Sequence, residues 1–259
     1  MASNNVRFIY GHLTERKTVT GSSEATGFPA ENAVDLDRSS VWKGDTTGTD
    51  SIKVDLGSAK AVSGVGIANH NLKTLIDGGA TIELHKSSDN FVANDVLVFL
   101  VVPTSDNDYY GTFASTTERY WRLQATNGAG TAMQIGEFYL GTNQELTQNP
   151  EVGMDDEIVS HNLLSRSFGG VSVIRQLGRQ TRRFAMTWTA LNATERDEIK
   201  IVVTTQLGSL KPFFYAPRSD TSTSPQGEGF FVRFESNSFR VKERFTGVFS
   251  LTATLVEEQ

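Results

Sequence analysis

At 259 residues, with 38% hydrophobic and 21% charged residues, the chain has the make-up of a soluble globular protein and exceeds the comfortable size of one hydrophobic core, so two domains are expected. A net charge of −6 and a pI near 5.3 exclude a predominantly basic, phosphate-neutralising surface. The absence of cysteine excludes disulfides, thiolate catalysis and cysteine-based zinc sites.

Sixteen Phe, six Tyr and three Trp, with 23 Gly against 6 Pro, favour short strands and tight turns. The N-terminus M-A-S-N-N-V-R-F-I-Y lacks a basic segment followed by an apolar one, and the longest apolar run, Val96 to Val102, is too short to span a bilayer as a helix. A product made in the cytoplasm, with no membrane insertion, is the expectation. Ile52, Val54 and Leu56 alternate with Ser51, Lys53 and Asp55, the period of a half-buried strand. Ile82 with Leu84, and Trp121 with Leu123, repeat it, while Val96 to Val102 reads as a strand covered on both faces. Turn signals at Asp77-Gly78-Gly79, Ser88-Asp89-Asn90 and Thr126 to Gly130 separate them, and I-G-E-F-Y-L-G closes a sandwich at Gly141.

The polar stretch 143–162 reads as a linker with room for one short strand at its end, which sets boundaries at 1–142 and 163–259. Beyond it, G-G-V-S-V-I-R-Q-L and R-R-F-A-M-T-W-T read as strands joined by a hairpin, with Phe184, Met186 and Trp188 on one face. A helix over about 193–207 follows. Asn192 and Glu195 form a capping-box pattern, Ile199, Val202, Val203 and Leu207 form its apolar face, and Gly208 stops it. Phe230, Val232 and Phe234 line a later strand. The last strand carries Phe245, Phe249, Leu251, Ala253 and Leu255 on one side, and Ser219 to Gly229 reads as a loop. The expected fold is mainly β, a sandwich followed by a β-rich domain with one helix.

The segments N-A-V-D-L-D-R-S-S-V-W, I-K-V-D-L-G, R-Y-W-R-L and I-G-E-F-Y-L-G, in that order, resemble the galactose-binding-like jelly roll of discoidin-type and carbohydrate-binding modules, over roughly Gly27 to Gly141. That resemblance implies a calcium loop built from backbone carbonyls and carboxylates at Asn32, Asp35, Asp37, Ser40 and Glu137. An oxygen-only set suits such a hard cation. The other reading is that Asp35 and Asp37 cap the turn through backbone amides. Leu36 stands where the family often has Gly. The A-N-H-N-L segment and the pattern F-A-M-T-W-T-A-L-N-A-T-E-R-D-E-I, G-S-L-K-P-F-F-Y and T-L-V-E-E are similar to bacteriophage tail-tip and distal-tail proteins, which implies a homo-oligomeric ring, hexameric or trimeric, with other tail proteins as partners and the virion as its location.

Trp42 has two readings, a platform for a sugar ring or a core plug. Asn69 and His70 read as a glycan or metal contact, or as a strand-end loop satisfying its own backbone. Arg175, Arg179, Arg182 and Arg183 read as a solvated hairpin or as a subunit interface facing Asp155, Asp156 and Glu157 of a neighbouring copy, ahead of nucleic acid. The four histidines show no ligand spacing, and G-x-S-x-G, Walker A, G-x-G-x-x-G and H-E-x-x-H are absent. No enzyme is expected. The leading reading is a phage tail structural protein whose jelly roll contacts tail neighbours or host glycans. The alternatives are a carbohydrate-binding module protein and a polysaccharide hydrolase with unrecognised carboxylates.

Overall fold

The computed structural model describes residues 5–45, 48–126, 130–151, 155–166, 172–217, 226–236 and 239–258. In the first half these form β1 (Arg7–Tyr10), β2 (Thr18–Gly21), a 3-10 turn (Ala30–Val34), β3 (Trp42–Lys43), β4 (Asp50–His70), α1 (Leu72–Asp77), β5 (Thr81–Ser87), β6 (Val96–Leu100), β7 (Tyr109–Thr126) and β8 (Gln134–Glu145). The second half contributes β9 (Asp155–Val159), β10 (Asn162–Arg166), β11 (Ser172–Gln176), β12 (Thr181–Leu191), α2 (Ala193–Thr205), β13 (Phe213–Ala216), β14 (Gln226–Glu228), β15 (Phe230–Phe234), β16 (Val241–Phe245) and β17 (Val248–Glu257).

One antiparallel hydrogen-bonded path runs β6-β5-β7-β4-β8-β1-β13-β15-β17-β12-β9 through both halves. The N-terminal strand is the join: Arg7 to Tyr10 pair with Glu145 to Thr142 of β8, and Arg7 to Ile9 pair with Ala216 to Phe214 of β13. Strand alternation then gives this wall two buried faces. Ile67, Tyr109 and Phe138 enter the core of the first sandwich with Trp42, Trp121 and Leu123. Their neighbours Ala68, Tyr110 and Tyr139 enter a second core with Phe184, Trp188, Phe214 and Phe231. At Gly66 the wall is thinned to backbone, because a Cβ there would sit 2.2 Å from the Phe214 ring.

The mainly β class with a jelly-roll sandwich and a helix-bearing β half is as expected, and so is the capping box: Asn192 Oδ1 accepts from the Glu195 amide at 2.9 Å, and Glu195 Oε2 accepts from the Asn192 amide at 3.1 Å. Several details differ. The 143–162 stretch is not a free linker, because β8 continues through Glu145, Leu146 is buried in the second core, and β9 joins β12. Residues 152–154 of it lie outside the described residues. Val96 to Leu100 is an edge strand pairing with β5, with Leu97 and Leu100 each 47% exposed, since it ends the sheet path. β11 pairs with β10 rather than with β12, so the hairpin sits one strand earlier. The final run folds back at Gly247 (φ 76°) into β16 and β17, which leaves Phe245 exposed. Leu207 lies past the end of α2 at φ 54° and is exposed as well. The short α1 had no reading in the sequence. Of the loop 219–229, residues 226–228 form β14 on β7 and 219–225 lie outside the described residues.

Candidate functional sites: an oxygen-lined loop and an ion-paired seam

The 3-10 turn ends at Asp35, and Leu36 takes the left-handed conformation (φ 70°) that a glycine adopts without cost. The Ser40 hydroxyl lies 2.6 Å from Asp35 Oδ2, 3.0 Å from the Asp37 carbonyl and 3.4 Å from the Asn32 carbonyl. One hydroxyl proton serves only one of three converging oxygens, so the donor set fits a hard cation such as calcium. Asp35, Ser40 and the carbonyls of Asn32 and Asp37 are the residues that would hold it. The capping reading is present in the same loop: Asp35 Oδ1 accepts from the Asp37 amide at 2.8 Å, and Asp37 Oδ1 accepts from the Ser39 amide at 2.9 Å. The hydrogen bonds from Ser39 hold the Asp37 carboxyl below its usual range. The Asn32 side chain instead ties the loop shut by donating to the Val41 carbonyl.

Glu137 lies beneath the loop. Its Oε2 accepts from the Leu36 amide at 2.9 Å and its Oε1 is 3.0 Å from His12 Nε2, with both side chains essentially unexposed. The angles at that contact do not make a hydrogen bond. Burial lowers His12 to about 3 and pushes Glu137 well above the usual carboxyl range, so the imidazole is neutral at pH 7. The His12 ring stacks on Tyr139 at 4.2 Å, and the Tyr139 hydroxyl accepts from Gln206 Nε2 just past α2. Among the described residues, no three His, Asp or Glu side chains group as a metal site, so carbonyls would supply much of any cation shell.

Trp42 does not face solvent. It is fully buried, with Nε1 donating to the Ser23 carbonyl at 3.1 Å, which removes the sugar-platform reading. Asn69 Nδ2 and His70 are both engaged within the chain. Asn69 Nδ2 donates to the Arg38 carbonyl, and buried His70, lowered to about 4 by desolvation, accepts from the Leu72 amide through Nδ1. Both close the end of β4.

The structure also assembles a site with no signature in the sequence. Between the halves lies a polar cleft of about 280 Å³, lined among others by Arg38, Asn69, Asp108, Arg179, Arg182 and Glu257. Arg38 forks onto Asp108 at 2.6 and 3.0 Å and reaches Glu257 at 3.4 Å. Asp108 also accepts from the Phe231 amide at 3.1 Å. Burial raises the Asp108 carboxyl and lowers the Arg38 guanidinium, each against the pull of the other. Arg179 meets Glu257 at 2.8 Å, Arg182 lies 4.9 Å from the Phe230 ring centroid, and Arg183 forks onto Glu235 and contacts Glu157 at 3.5 Å. Arg179 and Arg183 therefore find acids within their own chain, Glu157 among them, which the interface reading had assigned to a neighbouring copy. Arg175, on the β10–β11 hairpin, is exposed. The partners of Arg38 lie 70 and 219 residues away, and no local pattern reports such spacings. The seam can clamp the halves and offer hydrogen-bonding edges. Its charges are already engaged with one another.

The family described as the NedA-like, galactose-binding domain matches residues 32–123. The match falls on the first sandwich, whose fold is a galactose-binding-like jelly roll. Solved structures similar to it include chitosan-binding module 1 of a chitosanase/glucanase from Paenibacillus sp. IK-5, at 26% identity over 51% of this chain and 98% of that one, with a TM-score of 0.44. A fucose-binding module from Streptococcus pneumoniae is similar at 20% identity over 50% of this chain and 94% of that one, with a TM-score of 0.43. No curated protein matches the chain in sequence.

Proposed function

We propose that the protein is a non-catalytic carbohydrate-binding protein whose galactose-binding-like domain is mounted rigidly on the second β half. The observation that carries this reading is the family match over residues 32–123 falling on the sandwich that contains the intact 32–40 loop. The shared wall supports rigid mounting, since β1 belongs to both halves. A calcium ion in the loop would brace it by replacing the crowded contacts of Ser40 with ligation. The test is glycan-array binding by the full chain, with and without a calcium chelator, together with reducing-end assays on the bound polysaccharides. Binding without turnover is expected. Failure to bind any glycan, or turnover of one, overturns the reading.

A second reading is a structural component of a bacteriophage tail that presents this domain from a ring. The β10–β11 hairpin favours it, because this hairpin stands apart from the main sheet and exposes Leu163 (50%) and Ile174 (72%). Light scattering at high concentration should then give a closed oligomer, and mass spectrometry of phage particles should find the chain. A persistent monomer absent from particles rejects it.

A further inference from the structure

We infer that the outer face of β2, β4 and β7 carries a subsite for a carboxylated sugar, a hexuronate. The inference rests on the carbohydrate-binding reading above and adds a ligand class and a place. Register brings one row of side chains together: Thr20 is opposite Lys53, and Lys53 is opposite Arg122. Ile52 and Val54 point into the core, so alternation turns Lys53 outward. With Ser22, Ser51 and Phe91 these side chains line a groove of about 210 Å³, room for about one pyranose ring.

The electrostatics of the groove run against those of the molecule. The chain carries a net −6, yet none of the lining residues carries a carboxylate and two carry positive charge. Among the described residues Lys53 has no ion-pair partner, and Arg122 Nε has no acceptor although it is buried. Asp95 engages the far end of Arg122, at Nη2 (2.5 Å), and is shared with His85 at 2.7 Å. A carboxylate seated beside the Lys53 ammonium would form a charge-assisted pair, with the Arg122 guanidinium on the facing strand adding to the positive field. The hydroxyls of Thr20 and Ser51 are placed to meet ring hydroxyls.

The wall over the groove is built at a conformational cost. Asn90 and Phe91 are both left-handed (φ 63°), which is unfavourable for a bulky aromatic. The loop is held there by Asp89, which accepts from the amides of Val92, Ala93 and Asn94, and by Ser87 Oγ, which accepts from the Phe91 amide at 2.9 Å. The result sets the Phe91 ring 4.3 Å from the Arg122 guanidinium carbon, at the side of the groove.

The test is calorimetric titration of the full chain with tri-galacturonate and tri-glucuronate, and with the neutral galactose and glucose trisaccharides, for the wild type, Lys53→Gln and Lys53→Glu. Thermal midpoints of both variants report folding. Uronate binding that weakens about tenfold in Lys53→Gln and further in Lys53→Glu, with added salt acting in the same direction, supports the subsite. Uronate binding indifferent to both variants overturns it. Binding of neutral glycans alone overturns the subsite and leaves the carbohydrate reading standing, whereas binding of no glycan on the array or in solution overturns both.

Discussion

Two concave regions of this molecule are lined by cations, and they are built on opposite rules. In the seam, Arg38 is about nine-tenths covered and is matched by Asp108 and Glu257, both at least as covered. On the outer face of β2, β4 and β7, Lys53 is half-buried and faces no acid among the described residues. A buried charge must be paired because desolvation would otherwise displace its ionisation or unfold the site. A cation left unpaired at a partly open groove carries no such demand. Matched charge marks the place where the two halves are held together, and unmatched charge marks the place where something else can bind.

The largest expected effect comes from breaking the matched set. Arg38→Met should destabilise the protein by about 3–5 kcal/mol, because it strands Asp108 without its counter-ion. Chemical denaturation checks this. The double variant Arg38→Met, Asp108→Leu should recover most of the loss, and if it does not, the seam acts through packing and the comparison fails. Beside the seam, His70 gives the next effect. Burial holds it at about 4 when folded, below its ordinary 6.5, so the unfolded chain takes up a proton that the folded chain refuses. The stability tied to this group is therefore complete above pH 6.5 and is lost as pH falls towards 4. Between pH 7 and 4.5 the wild type should lose about 2–3 kcal/mol more than His70→Asn, whose amide oxygen can still accept from Leu72. Equal losses in the two proteins would reject buried neutrality at His70.

How much of this was legible follows from the range over which each feature is written. The capping box at Asn192 and Glu195, the alternation of Ile52, Val54 and Leu56, and the face of Phe184, Met186 and Trp188 all lie within a few residues, and the fold uses them as they read. The 32–40 loop was singled out through its resemblance to a family motif rather than through such local periodicity. The double-sided wall was not: I-G-E-F-Y-L-G reads as the closing strand of one sandwich, and nothing local says that its alternate residues Phe138 and Tyr139 serve two cores. The break expected at 142 therefore falls in the middle of a strand whose pairing with β1 continues to Glu145. Trp42 was legible as a core plug or a sugar platform and the fold decides for the core, whereas Arg38 had no local sign of partners so far along the chain.

The wall itself offers a smaller test. Gly66→Ala would place a methyl group where the Phe214 ring now rests, so the ring or β4 must shift, at a cost of about 1–3 kcal/mol. Pairing it with Phe214→Leu, which vacates ring volume, should return part of that loss in a double-mutant cycle, since the two residues touch directly. Additive losses would mean that the halves do not press on each other at this point.

The smallest expected effect sharpens the contrast most. Lys53→Ala should change stability by no more than about 0.5 kcal/mol in either direction, because no counter-ion is stranded and the alkyl stem lies on a solvent-facing side of the sheet. A null result of this kind is informative only beside Arg38. The two substitutions each remove one positive charge from a half that folds as a β-sandwich, so a difference of several kcal/mol between them isolates burial and pairing as the cause. If Lys53→Ala proved as costly as Arg38→Met, the groove would be a second structural clamp, and its cation would no longer be available to a ligand.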